Sequence, residues 1–430
     1  MASHEISWVR QQMLAQSAPP VRQSGVLRWV RENLFNGWLS AGLTVASVLA
    51  IAALLMAVGP WLANSVWQAG SLNECRQILG GEPGACWAVI RDRWPQLIFG
   101  FYPAEHYARP VLAFVLLFVA LAPLLFSRLP RKLLWFSVAY PGLTFWLVWG
   151  GSLWLPLMAY AGFAIGAMLW RLAARLGVVL GTVLTVGGTV LWWLYAAGEA
   201  AGWLAEHLLA LALVSVSSRE LGGFLLSIII GVTGIALSLP LGILLALGRQ
   251  STMPLIKTVS VVFIEFVRGV PLITLLFTAS LLLNYFLPPG TSFDLILRVI
   301  IMVTVFATAY IAEVIRGGLA ALPRGQYEAA QGLGLNYWNA QRLVIMPQAL
   351  KISIPVLVST FIGLFKDTTL VVFIGLLDPI ALSTAIRAST DWQGIYWELF
   401  IFIGAVFFLF CFAMSRYSMY LERRLKTDHR

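Results

Sequence analysis

Two pairs of opposite charges, Glu265 with Arg268 and Glu313 with Arg316, lie within strongly apolar stretches of this chain. The three-residue spacing places both members of each pair on one face of a helix. Charges at membrane depth are costly, so they face a partner or a water-filled path. Each pair is either an internal ion pair that holds helices in register or a contact for a substrate or gate. The structural interpretation is favoured for Glu313 and Arg316, because they lie near the expected cytoplasmic end of their helix.

A second polar group lies in the apolar stretch 352–378. Lys366 and Asp367 are expected to face protein or water rather than lipid. Ser359 and Thr360 fall close to the expected middle of the bilayer, where transporters bind their solutes, so they are candidates for lining a substrate path. The alternative is that their hydroxyl groups bond to carbonyl groups four residues earlier.

A short polar loop, 324–347, separates two long apolar stretches and has the features of a docking helix. Glu328 lies in a first helical turn, where its charge suits the helix dipole. Ala329 and Ala330 are small enough to let another protein approach closely, and Gly334 is a natural C-terminal stop. Pro347 starts the next apolar stretch. This pattern predicts a surface helix that binds a separate protein.

The elements that must hold these residues are membrane-spanning helices. The chain is 60% hydrophobic and 11% charged, whereas a soluble domain has about 25% charged residues. A spanning helix needs about 20 apolar residues. The sequence therefore predicts an all-α integral membrane protein with about ten spans. The candidates are 40–61, 110–127, 133–151, 154–172, 178–197, 222–248, 256–286, 295–316, 352–378 and 395–418.

The distribution of basic residues predicts the orientation of these spans. The net charge is +10, and the Lys and Arg residues cluster in alternate loops, as the positive-inside rule describes. Ten spans then place the N-terminal segment 1–37 and the tail 422–430 in the cytoplasm, and the loop 62–109 outside. No apolar core of a cleavable signal peptide occurs in 1–37. The apolar piece 203–216 is too short to span, so it is expected to be an interfacial helix.

Cys75 and Cys86 lie in the outside loop and flank a cluster of turn residues at 80–84. Turn residues let the chain double back, and an oxidising compartment favours a disulfide. Two free thiols are the alternative. Within the expected spans, Pro240 and Pro271 are predicted to kink their helices, because proline removes a backbone hydrogen bond.

The sequence lacks several motifs that carry chemistry. It contains no phosphate-binding loop of the G-x-x-x-x-G-K-[ST] type. Its four histidines are scattered and show no metal-ligand spacing, so no metal site is expected. No nucleophile and base occur in a local arrangement. These absences lower the expectation of an enzyme, and loop-clustered basic residues give no reason to expect nucleic-acid binding.

The loop 324–347 resembles the EAA loop of ABC import permeases. Glu328, Ala329, Ala330, Gly334 and Pro347 match that motif, while Val344 and Met346 are conservative departures. Further blocks resemble the polar amino-acid uptake family of these permeases, in order, across the region 218–421. They are Leu239–Arg249, Glu265–Pro271, Ala309–Gly318 and Lys366–Leu370. The resemblance implies a five-helix type I importer core, with the loop as the coupling site for a separate ATPase that binds ATP and Mg.

The N-terminal extension 38–217 resembles the larger, M-type permease subunits of general L-amino-acid transporters. That resemblance implies a heterodimer with a second permease, two ATPase subunits and a periplasmic amino-acid-binding protein in the bacterial inner membrane. It implies no cofactor in this chain. Members with a transmembrane substrate site carry a polar or acidic residue at the Thr360 position. An ion-gradient transporter is the main alternative, and an intramembrane enzyme or sensor is a remoter one.

Overall fold

The computed structural model describes residues 25–126, 128–208, 211–282, 285 and 294–425. These ranges are mostly helical, as the apolar runs predict. The chain separates into two compact units, Met1–Ala69 with Asn73–Trp87 and Gly70–Leu72 with Ala88–Arg430. Residue 217, the predicted end of the extension, lies within the second unit.

The first unit contains one long helix without a buried residue. Its helical segments are α1 (Val26–Leu34), α2 (Trp38–Ala63) and α3 (Leu72–Leu79), the last of which starts at the junction of the units. None of the 26 residues of α2 is buried. Cys75 and Cys86 form a disulfide with their Cα atoms 6.0 Å apart. This is the pairing that the sequence favours over two free thiols.

The second unit begins with six helices, of which the last five pack mainly against neighbours in the chain. They are α4 (Ala88–Phe99), α5 (Ala108–Leu125), α6 (Leu134–Trp149), α7 (Trp154–Ala173), α8 (Val178–Leu191) and α9 (Ala197–His207). A π-helical turn, Trp192–Ala196, joins α8 to α9. Two short strands, β1 (Gly151–Ser152) and β2 (Ala212–Leu213), pair antiparallel.

The rest of the second unit holds the candidate site residues. Its helices are α10 (Gly223–Gln250), α11 (Pro254–Gly269), α12 (Leu272–Phe277), α13 (Leu295–Ala320), α14 (Arg324–Gly332), α15 (Tyr337–Ala340), α16 (Met346–Asp367), α17 (Pro379–Ala388) and α18 (Trp397–Leu425). α10 and α13 lie against each other, and a Cβ on Gly242 would come within 2.6 Å of Ile311 Cγ2. The absence of a side chain there allows this close helix packing, so α10 and α13 form the centre of the buried core.

The candidate spans of the described residues can be set beside the prediction of about ten. Among the described residues, eight helices are long and apolar enough to cross a membrane, or nine if one bent pair counts as a span. The predicted span 133–151 forms only the 16-residue helix α6. Gly150 and Gly151 adopt positive φ angles of 72° and 76° and end the helix there, which leads the chain into β1.

The piece 203–216 was wrongly predicted to be an interfacial helix. Residues up to His207 continue one long helical segment that starts at Val179. After it, Ala212 and Leu213 pair with β1. Residues 209 and 210 lie outside the described ranges. The prediction failed because the apolar run 178–197 continues through the π-helical turn rather than ending before residue 203.

The break predicted at Pro271 is confirmed. α11 and the helical segment that starts at Leu272 meet at an angle of 101°. Gly269 ends α11, and Pro271 immediately precedes α12. Proline cannot donate the backbone hydrogen bond that would continue α11. Pro240, in contrast, lies inside the uninterrupted helix α10.

Candidate functional site

Five charged side chains from α10, α11 and α13 form one charge cluster: Arg249, Glu265, Arg268, Glu313 and Arg316. Glu313 is its centre. Arg316 Nη2 lies 2.6 Å from Glu313 Oε1, and Arg249 Nη1 and Arg268 Nη1 lie 3.4 Å and 3.9 Å from Glu313 Oε2. Three guanidinium groups from three helices thus converge on one carboxylate.

The pairing within α11 differs from the same-face pair that the sequence suggests. Glu265 Oε1 accepts a hydrogen bond of 2.8 Å from Arg249 Nη1 of α10. Arg268 instead approaches Glu313 and lies over the ring of Tyr310, 5.6 Å from its centroid. Glu313 and Arg316 do pair within α13. The geometry therefore supports ion pairs that tie three helices together.

Two of the candidate polar residues of α16 lie on its exposed side. Ser359 and Lys366 are exposed, as are Val356 and Ile352, one and two turns before Ser359. Leu357 and Leu364 are buried on the other side. In a spanning helix, an exposed Lys366 cannot face lipid at acceptable cost. This side of α16 must therefore be covered by protein or water in the membrane.

Thr360 makes the bond that the sequence allowed as an alternative to substrate contact. Its Oγ1 donates to the carbonyl of Val356 at 2.9 Å. The hydroxyl oxygen retains lone pairs, so this bond does not exclude contact with a solute. Asp367 is half-buried at the last position of α16.

The loop 324–347, which we term the coupling loop after the motif it resembles, forms a helix that ends where the sequence predicts. Glu328 was wrongly placed in the first turn: α14 begins at Arg324, so Glu328 lies in the second turn. Glu328 and Ala329 on α14 are exposed, whereas Ala330 is buried. Gly334 has a φ of 69°, and its N–H donates to Gln331 O while Leu335 N–H donates to Ala330 O. This pair of bonds is the Schellman arrangement, in which glycine tolerates the left-handed conformation.

Contacts between side chains hold the coupling loop against the next helix. Gln348 Nε2 donates to Gln326 Oε1 at 2.9 Å and thereby links α16 to α14. Pro347 lies in the first turn of α16, directly after the π-helical turn Gln341–Ile345. α14 is thus held by its buried Ala330 and by a polar bond to the adjacent spanning helix.

The structure adds apolar residues to this loop that the motif did not identify. Leu333 is 77% exposed, Trp338 is 65% exposed, and Tyr337 is also exposed. With Ala329 and Glu328 they form what we term the coupling surface. An apolar patch rimmed by polar residues marks an interaction site. The sequence signal was present, since these are apolar residues within a polar loop, but the E-A-A pattern does not include them.

A buried carboxylate lies between α16 and α18, outside the candidate site. Asp378 is fully buried, and its side chain accepts bonds from Ala381 N and Ile380 N at 2.8 Å and 3.2 Å, which caps α17. Burial raises the pKa of the Asp378 carboxyl to about 6, while these backbone bonds act in the opposite direction. The group therefore titrates within an accessible pH range.

We expect Asp378 to make the protein less stable as the pH rises from about 4 to about 6. Its folded pKa lies above its unfolded value, so the stability that the neutral carboxyl contributes is complete below the unfolded pKa. It is lost as the pH passes the folded pKa, a change of roughly 3 kcal/mol. Asp378→Asn keeps an acceptor oxygen and does not titrate. The melting temperature of Asp378→Asn minus that of the unaltered protein, both measured in detergent, should therefore increase from pH 4 to pH 7.

Asp391→Asn is the control for this pH dependence, because Asp391 is exposed. It should follow the unaltered protein at each pH. A melting-temperature difference between Asp378→Asn and the unaltered protein that is constant across this range would contradict the assignment.

Comparisons with known proteins agree with this fold. Residues 238–427 match the family described as "Binding-protein-dependent transport system inner membrane component". The glutamate/glutamine/aspartate/asparagine transport system permease protein BztC of Rhodobacter capsulatus is 60% identical, covering 99% of this chain and 100% of that protein. The inner membrane amino-acid ABC transporter permease protein YhdY of Escherichia coli is 38% identical, covering 94% of each.

The chain therefore belongs to this family of permeases: it is a multi-pass ABC importer permease with the type I fold. This assignment removes the alternative of an ion-gradient-driven transporter. More particularly, it is a long member of the family. The probable glutamine permease GlnP of Bacillus subtilis is 30% identical and covers 47% of this chain and 91% of its own length. The narrower resemblance to M-type subunits remains a prediction.

Proposed function

We propose that this chain carries L-amino acids, across a broad range, from the periplasm to the cytoplasm. The relatives whose names specify amino-acid transport support this substrate class. Small hydroxyl residues on the exposed side of α16, Ser359 and Thr360, would line the path, with no fixed negative charge at these two positions to select cationic solutes. The exposed Lys366, about two turns after Ser359 on α16, would face the same path or the second permease.

The assembly would contain a second permease as heterodimer partner, two ATPase subunits and a periplasmic binding protein. ATP and Mg would be bound by the ATPase, and both termini of this chain would lie in the cytoplasm. The single observation that carries this proposal is the coupling surface, in which Ala329 on α14, Leu333 just after it and Trp338 on α15 are exposed, while the buried Ala330 and the Gln326–Gln348 bond hold α14 in place. When a protein docked on this surface moves, the displacement of α14 can be transmitted to α16 through the Gln326–Gln348 bond.

Purification from the native membrane tests this assembly. The tagged chain should bring an ATPase and a second permease with it in mild detergent. After reconstitution with the binding protein, uptake should depend on ATP and should extend to several amino acids in a panel. Recovery of the chain alone in several detergents, or uptake driven by a proton gradient without ATP, would contradict the proposal.

A further inference from the structure

The N-terminal half of the chain reaches the end of the bundle that lies away from the coupling loop. Arg249, near the end of α10, contacts Glu313, near the end of α13, and the coupling loop follows α13. The start of α10 is therefore at the opposite end of a 28-residue helix, roughly 40 Å away at 1.5 Å per residue. We term this the distal end.

Segments from both halves of the chain meet at the distal end through backbone contacts. Gly223 N–H donates to Leu377 O at 2.7 Å, and Gly100 pairs with Leu221 as an isolated bridge. A Cβ on Gly100 would lie 2.5 Å from Gly222 Cα, so the two backbones touch. α4, which ends at Phe99, is thereby fixed beside the segment that joins α16 to α18.

α4 is an integral part of this end rather than an appendage. Val89 and Leu97 on α4 are completely buried, and α4 packs against α10, α17 and α18. Its other side carries Arg91 and Trp94, both exposed. The helix therefore presents one charged and one aromatic side chain from a rigid support.

A partly buried hydrogen bond ties α4 to the loop 389–396. Trp392 is completely buried, and its Nε1 donates to Asp92 Oδ2 at 2.9 Å. Leu72 N–H also donates to the backbone carbonyl of Asp391 at 2.8 Å, and Arg93 Nη2 lies 3.9 Å from the Asp391 carboxylate. We term α4 and the loop 389–396 together the distal clasp.

The exposed side of the distal clasp has the composition of a protein interface. It combines Arg91, Trp94, Asp391, Gln393 and Tyr396, all exposed. Trp, Tyr and Arg are the residue types enriched at interface hot spots. Charges of both signs suit a folded protein surface with complementary charges better than they suit lipid tails.

We propose that the distal clasp is a docking surface for the solute-binding protein on which transport by this family depends. The inference rests on the proposed function, in which the coupling loop faces the ATPase. The binding protein then docks at the opposite, distal end. It assigns a task to the N-terminal half. That half supplies α4 to the docking surface, and the Asp92–Trp392 bond sets the position of the loop 389–396 beside it.

The test uses the complete transporter in lipid nanodiscs, with the binding protein titrated and ATP hydrolysis measured. Arg91→Glu should raise the half-saturating concentration of binding protein about tenfold, since charge reversal at an interface opposes association. Trp392→Phe removes the donor and leaves a small gap at a buried site, and it should raise that concentration about threefold by loosening the loop. Hydrolysis without binding protein should stay near that of the unaltered assembly for both variants, and the melting temperature should do so for Arg91→Glu.

Arg219→Glu is the matched control, because Arg219 is an exposed arginine just before α10 and lies outside the distal clasp. It should leave the half-saturating concentration unchanged. Equal shifts for Arg91→Glu and Arg219→Glu, or no shift for Arg91→Glu and Trp392→Phe, would overturn the docking inference alone. An unaltered assembly that does not hydrolyse ATP would instead contradict the proposed function.

Discussion

Leu333→Asp should detach the ATPase subunit from the permease and lower ATP-dependent uptake about a hundredfold. Burying a leucine side chain against a partner contributes about 1.5–3 kcal/mol, and a carboxylate forced into the same contact adds a further desolvation cost. Each 1.4 kcal/mol weakens binding about tenfold. Leu333 is 77% exposed in the chain alone, so the substitution should leave the fold itself intact. Co-purification of the ATPase and uptake into proteoliposomes measure the effect.

Gln331→Asp provides the control for charge. Gln331 is exposed near the end of α14, and it lies two residues from Leu333 in the sequence, which corresponds to the opposite side of a helix. The same added charge should therefore retain the ATPase. If both variants lose the ATPase equally, net charge rather than the apolar contact is responsible, and the role given to Leu333 is wrong.

Glu313→Gln should be the most damaging single substitution in the charge cluster. Three guanidinium groups converge on this carboxylate within 3.9 Å. Among the described residues, Glu313 is the carboxylate that Arg316 and Arg268 approach, so Glu313→Gln leaves both guanidinium groups without that partner. Removing one partner of a buried ion pair costs about 3–5 kcal/mol, although the partial exposure of the cluster lowers this figure. We expect little folded protein in the membrane and a melting temperature lower by several degrees.

Two further variants separate this effect from a general loss of charge. Glu265→Gln should cost about 1 kcal/mol or less, because the Glu265 side chain is 53% exposed and contacts only Arg249 in the cluster. Glu313→Gln combined with Arg316→Gln should recover part of the lost stability, since one unpaired cation is removed. Equal melting temperatures for Glu313→Gln and Glu265→Gln would refute a central role for Glu313.

The features that were predictable from the sequence are those that depend on neighbouring residues. The stop at Gly334 and the break at Pro271 follow from backbone chemistry at a single position. The Glu313–Arg316 pair follows from helical spacing. The coupling loop was recognisable because its motif is continuous in the chain.

Most of the features that failed or were missed depend on residues that are distant in the sequence. Helical spacing suggested that Glu265 and Arg268 form an ion pair. Each instead pairs with a charge on another helix, Glu265 with Arg249 and Arg268 with Glu313. The bond between Asp92 and Trp392 joins residues 300 positions apart, so no local pattern could indicate it. The span 133–151 was overestimated because hydropathy does not register the positive φ angles at Gly150 and Gly151.

The contact between Gly100 and Gly222 also has a consequence for how the chain is made. A ribosome adds about 5–20 residues per second, so the roughly 120 residues between these two glycines take on the order of ten seconds to synthesise. Throughout that interval α4 has emerged, but the start of α10 has not. The apolar side of α4, with Val89 and Leu97, then lacks one of its native neighbours. Nascent chains that stall before residue 222 should accordingly be the form most open to quality-control proteases.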